Sequence, residues 1–149
     1  AGTDFPAHRA VAAALVARGW RVVRVPAGSK GPVMRLADRT YRPEAFAPDD
    51  NIGLVLGSRF SGLVDVDLDA PEAARAADYL LPPTGLISGR PSATRSHRFY
   101  TAPGAGYARF VGPDGGDDAC LVELRADGRP AACRTLVPPS VHPSGERYI

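Results

Sequence analysis

The spacing of apolar and polar positions changes period several times along the chain, and each change predicts an element. From about Ala7 to Arg18 the spacing predicts a helix. Val11, Leu15 and Val16 form its apolar stripe among alanines, Asp4 or Pro6 marks its start, and Gly19 stops it. Trp20 to Val25 reads as a strand, and Pro26 to Pro32 as a turn. Residues 33 to 50 are weakly patterned, a loop with one short helix near Pro43–Phe46. Asn51 to Leu56 is a second strand, ended by Gly57-Ser58, and a third covers about Gly62–Leu68. Pro71 to Leu80 is a helix, with proline in its first turn and Glu72 at the positive end of its dipole.

Beyond it, Thr84–Ser88 and Ser96–Thr101 read as strands around a polar, basic turn from Gly89 to Arg95. Gly104, Gly106, Gly112, Gly115 and Gly116 break up a long connection. Cys120–Arg125 and Cys133–Val137 are expected to pair as a hairpin across a turn at Ala126–Arg129. Pro138 to Tyr148 forms a rigid ending loop. A helix, strands, a second helix and then antiparallel hairpins argue for an α+β fold, not a doubly wound parallel sheet.

The third strand carries unusual chemistry. In Leu63-Val64-Asp65-Val66-Asp67-Leu68-Asp69, three acids sit at every second position and so share one face. Held together they repel, and each costs free energy if desolvated. A divalent cation such as Mg²⁺ or Mn²⁺ takes hard oxygen ligands and offsets that repulsion. An edge strand with a solvated acidic face, with Asp69 capping the next helix, accounts for the pattern equally well.

Four other features suggest chemistry. Glu123 lies among Leu121, Val122 and Leu124, where an acid is normally paired or ligates something. Ser96-His97 opens a strand after a turn holding Arg90, Ser92 and Arg95, a set able to cradle phosphate or to stand as a solvated basic turn. Lys30 sits in a glycine-proline turn that lacks the spacing of a P-loop. His142, in the Pro138–Gly145 loop, reads as structural. No serine occupies a nucleophile elbow, and the aspartates cluster instead of orienting one histidine. Histidines at 8, 97 and 142 are too few for a comfortable zinc hydrolase site.

Composition sets bounds. The chain has 149 residues, enough for one domain with a real core, and its 44% hydrophobic content fits a globular protein. A net charge of +2 neither demands nor excludes nucleic acid. Of the 18 basic Lys and Arg residues, all but Lys30 are arginine, so a retained lysine suggests a need for a compact point charge. No apolar run approaches the ~20 residues of a membrane span, and no signal peptide is recognisable. Cys120 and Cys133 read as small buried residues in a reducing cytosol.

Taken together, these blocks resemble the bifunctional primase–polymerase (prim-pol) domain of the archaeo-eukaryotic primase superfamily. The resemblance runs from Arg18-Gly19-Trp20 through Lys30-Gly31-Pro32 to Asn51–Gly57 and Ser61–Asp69. It continues through Gly89–Ser92 and Ser96–Tyr100 to Val122–Gly128 and Val137–Gly145. It implies an RRM-like, antiparallel-rich catalytic sheet with a small α/β lobe, all of 1–149 forming one catalytic domain, the N-terminal part of a larger replication protein.

By the same resemblance the enzyme is a nucleotidyltransferase, a DNA primase or DNA polymerase or both. Asp67, Asp69 and Glu123 are its catalytic, metal-binding residues, holding two divalent ions, Mg²⁺ or Mn²⁺. The resemblance places its nucleotide motif on Ser96 and His97 and the lysine of its early turn on Lys30. Arg95 and Ser92 of the basic turn complete the expected nucleotide-binding set. The alternation that puts the acids on one face suggests Tyr100 as an aromatic bordering the nucleotide. Expected partners are nucleoside triphosphates, single-stranded or primed DNA, and a helicase domain or subunit; no membrane is involved, and the location is cytoplasmic. Asp65 stands where the family usually has an apolar residue. The metal pair can thus also be read as Asp65 and Asp67; the Gly62 spacing favours Asp67 and Asp69. A metal-dependent phosphoesterase or nuclease on the same carboxylates, and a catalytically silent nucleic-acid-binding domain, are the alternatives.

Overall fold

Alternation decides how the acidic strand sits. In the computed structural model, which describes residues 5–31, 42–58, 61–113, 119–128 and 133–149, that strand is β3 (Leu63–Leu68), buried along its whole length. It is the centre of a five-stranded sheet, flanked by β5 (Ala93–Thr101) and β7 (Cys120–Arg125). β4 (Ile87–Arg90) lies outside β5, and β6 (Ala108–Val111) outside β7. All four pairings are antiparallel.

Val66 and Leu68 point to one face of this sheet, where α2 (Pro71–Leu80) covers them with Ala73, Ala74 and Ala77. Val122 and Leu124 of β7 and Tyr100 of β5 join the same cluster. Burying a side chain such as Leu68 stabilises by roughly 1.5–3 kcal/mol, and Leu68→Ala would cost about 2–5 kcal/mol through the cavity it leaves. The helix ends where predicted, at Leu80, ahead of Pro82-Pro83.

The opposite face carries Leu63, Asp65 and Asp67. Leu63 and Phe99 pack there with Ala12 of α1 (Phe5–Ala17), Val22 of β1 (Val22–Val25), and Ile52 and Leu54 of β2 (Asn51–Val55). β1, β2 and β8 (Arg134–Val137) form a second, three-stranded antiparallel sheet with β2 in the middle. A short 3-10 turn at Pro43–Ala45 leads to Phe46, which completes this core. Among the described residues the architecture is thus two helices and two antiparallel sheets, an α+β fold.

Two expectations need correction. β7 and β8 do not form a hairpin: β7 pairs with β3 and β6, whereas β8 pairs with β2 in the other sheet. The chain between them crosses from sheet to sheet, and the turn residues serve that crossing. The Asp127 carboxylate accepts a hydrogen bond from the Ser58 amide at 2.8 Å. It also lies so close to Gly57, held at φ +107°, that a β-carbon there would collide with it. Second, the glycine-broken connection after Thr101 contains a strand, β6. Asp4, Pro32, the stretch from Met34 to Tyr41, Gly115, Gly116 and Arg129 lie outside the described residues. Both cysteines are free thiols, Cys133 buried and Cys120 partly so. No described helix is long and apolar enough to cross a membrane.

Candidate active site

Strand register assembles the acids. Asp67 faces His97 on β5 and Glu123 on β7, so three functional side chains stand in one row across three strands. Asp69 lies just past the end of β3, its amide bonded to the Leu121 carbonyl at 3.1 Å. Carboxylate oxygens of Asp67, Asp69 and Glu123 all lie within 4.8 Å of one another. Asp67 and Glu123 are buried and Asp69 is exposed, so the cluster opens to solvent on one side. Hard oxygen donors this close fit a divalent cation such as Mg²⁺ or Mn²⁺.

The electrostatics point the same way. Burial pushes the Asp67 carboxyl up to about 6; His97 and Arg125 oppose the shift, while Asp65 and Asp69 add to it. Arg125 of β7 compensates the crowding. Its guanidinium pairs closely with Asp67 and donates to Glu123 at 2.8 Å. Burial disfavours its charge, but Asp67, Asp65 and Glu123 together hold it firmly protonated. Tyr107 donates its hydroxyl to the other Glu123 oxygen at 2.7 Å.

Asp65 is not in the cluster. It is fully buried at the junction of the two sheets. Its Oδ2 accepts from Thr135 of β8 at 2.5 Å and meets His97 Nδ1 at 3.0 Å. Burial alone would lower the His97 pKa, but the hydrogen bond and charge of Asp65, with Asp67 nearby, raise it on balance.

A cleft of about 340 Å³ opens beside the cluster. Asp67 and Asp69 line one side, while Lys30, Arg90 and Arg134 supply a basic lining beside the His142 ring. Burial lowers the His142 pKa, and the charges of Lys30 and Arg90 lower it further. An acidic cluster next to a basic lining suits a ligand that carries phosphates and a metal ion together.

Of the residues singled out for nucleotide binding, Lys30, Ser96 and His97 line this cleft. Arg95 and Ser92 are placed elsewhere. The Arg95 guanidinium is exposed and bonds Asp78 of α2 at 3.0 Å. Ser92 donates to Glu146 from both its amide and its hydroxyl, each at 2.7 Å. Tyr100 lies on the α2 face, its hydroxyl bonded to the Pro82 carbonyl, so the aromatic ring of the cleft is Tyr148 instead. Strand parity carries the signal for Tyr100, since it is three residues from His97 and therefore on the opposite face. Arg90 of the basic turn and His142 of the ending loop also line the cleft; Arg134 and Tyr148 carry no local signal, because the cleft exists only once the two sheets meet.

A family model described as bifunctional DNA primase/polymerase, N-terminal, matches residues 12–149. No curated protein and no solved structure matches the chain. The match covers the eight strands of the described residues, the acidic cluster and the basic lining of the cleft. The chain belongs to the bifunctional DNA primase/polymerase N-terminal family.

Proposed function

We propose that this domain adds nucleotides from nucleoside triphosphates to a 3′-hydroxyl on a DNA template, with Asp67, Asp69 and Glu123 as the ligands of two divalent ions. Membership of the family carries the broader class, primase/polymerase-type nucleotidyl transfer. The observation that carries the finer reading is the juxtaposition in one cleft of three carboxylates within 4.8 Å and a basic lining.

In the reaction, the 3′-oxygen attacks the α-phosphorus, loses its proton, and pyrophosphate leaves. Mg²⁺ or Mn²⁺, when bound, would activate the hydroxyl and stabilise charge on the leaving group. Asp67 and Glu123, fixed on adjacent strands, supply preorganised oxygens, and exposed Asp69 closes the set. Lys30 and Arg134 attract the triphosphate and spread its charge, Arg90 adds positive charge at the edge where Glu146 pairs with it, and His97 with Ser96 meets it from β5. Arg95 and Ser92, engaged with Asp78 and Glu146, support the turn beside the cleft. The N-terminal family description supports reading the chain as the catalytic part of a larger protein, and a helicase domain or subunit is the partner proposed for it.

The test is incubation with a primed template, labelled nucleotides and Mn²⁺, followed by product sizing. Extended primers are expected, and an unprimed template in parallel separates priming from extension. Shortened strands formed without added triphosphates would instead mark a nuclease.

A further inference from the structure

Asp65 is the acid that the cluster leaves over, and its surroundings differ from those of the other three. Its carboxylate is fully buried, so it touches neither solvent nor a substrate in the cleft. Oδ1 has no hydrogen-bond partner, while Oδ2 takes both Thr135 and His97 and lies 3.9 Å from the Arg125 guanidinium, too far for a hydrogen bond. A buried charge with an unpaired oxygen is costly, and Val at this position would match its neighbours Val64 and Val66 without that cost. Stability alone therefore does not explain the residue. Its contact with His97 does.

We propose that Asp65 is a positioning residue that holds the His97 imidazole by Nδ1 and so presents Nε2 to the phosphates of the bound nucleotide. A carboxylate only accepts, so Nδ1 must carry a proton toward Asp65. A second contact, Nδ1 to Asp67 Oδ1 at 3.4 Å, and the rings of Phe99 and Tyr148 at 6.5 and 6.1 Å restrict the ring further. With Nδ1 engaged inside the fold, Nε2 is the nitrogen left for a ligand in the cleft that His97 lines. The Asp65 carboxylate thus decides which ring nitrogen is turned into the fold and which is left to the cleft. Thr135 anchors Asp65 from the other sheet, so the joint between the sheets sets the angle of the histidine.

The inference rests on the proposed function, since it needs a triphosphate in the cleft. The experiment separates the two. Imidazole ¹⁵N spectra are recorded for the wild type, D65N and D65V, with melting curves for each. Titrations then use Mn²⁺ alone, and Mn²⁺ with a non-hydrolysable nucleoside triphosphate.

The wild type should show a protonated Nδ1 at His97 and a shift of Nε2 on nucleotide addition. D65V should lose the fixed Nδ1 proton and bind the triphosphate about tenfold more weakly. D65N, which keeps an acceptor oxygen, should stay within about threefold of the wild type. Mn²⁺ alone should bind all three alike. In an H97A background, D65V should change nothing further. If D65V does not fold, D65A carries the same expectations.

D65V with wild-type nucleotide affinity, or with Mn²⁺ affinity lost in proportion, would overturn the proposal. Wild-type protein that takes Mn²⁺ but no triphosphate would overturn the assigned function, and with it the phosphate role of His97. The spectra would still show whether Asp65 holds the ring.

Discussion

Arg125 on β7 pairs with Asp67 on the neighbouring strand, and the same guanidinium holds Glu123 at 2.8 Å. The two buried acids of the cluster thus share one internal cation before any metal arrives. That arrangement solves a folding problem, because a desolvated pair of carboxylates repels itself. Arg125→Met should expose the problem. Breaking a fully buried pair costs about 3–5 kcal/mol, and the Arg125 side chain keeps 25% of its exposure, so about 2 kcal/mol is the expected loss. For a domain of this size that is a fall in Tm of roughly 5 °C without metal. Mn²⁺ should then raise the Tm of the variant more than that of the wild type, since the ion has three uncompensated carboxylates to neutralise. Equal melting of the two metal-free proteins would show that Arg125 is not their counter-ion.

The basic lining should act on the nucleotide and not on the metal. Lys30 and Arg134 lie together at the cleft, the Arg134 guanidinium donating to the Lys30 carbonyl at 2.6 Å. Lys30→Ala and Arg134→Met are each expected to raise the apparent KM for nucleotide about tenfold, the loss of one charge-assisted contact. Mn²⁺ affinity, read by calorimetry, should stay within about twofold. A variant that loses both in parallel would place its side chain with the acids instead.

Glu146 gives the fold a pH-dependent clamp. Hydrogen bonds from Ser92 and then Arg90 pull its carboxyl from 4.5 down to about 2. A lowered folded pKa means that the carboxylate stabilises the fold above the unfolded value and loses that contribution as pH falls. Glu146→Gln should therefore lower the Tm at pH 7. The gap from the wild type should narrow from about pH 4.5 and close near pH 2. A gap constant across that window would mean that Glu146 acts by packing alone.

Both helices, the α+β class and the acidic strand are legible in the sequence because each rests on local spacing. Pro71 to Leu80 shows its apolar face and its proline start, and the alternation from Leu63 to Asp69 fixes which residues share a face. The partner of β8 is a different kind of fact. Ala126-Asp127-Gly128 looks like a hairpin turn, but Asp127 bonds Ser58 instead, and β8 settles beside β2. Nothing between Arg125 and Arg134 records that choice. β6 was hidden for another reason: Arg109, Phe110 and Val111 are all exposed, so an edge strand with no buried face shows no alternation.

The site divides along the same line. Asp67, Asp69 and Glu123 are visible as acids on apolar strands. In the sequence Arg125 reads only as the end of a strand, and it is the register that sets it beside Asp67. Asp65 shows parity with the other acids, but the sequence does not show the depth that keeps it out of their cluster. Arg90 and Arg134 come from different sheets and meet only at the cleft.

The most direct measurement is single-nucleotide incorporation on a primed template in Mn²⁺, with wild-type protein and Asp67→Asn side by side. The variant removes one ligand charge while Arg125 keeps Glu123 as a partner, so it should melt cooperatively. The wild type should extend the primer by one nucleotide, and folded Asp67→Asn should fall by at least about a thousandfold, about 4 kcal/mol of lost transition-state stabilisation. Primer extension by Asp67→Asn at the wild-type rate would contradict the carboxylate cluster as the site of the reaction.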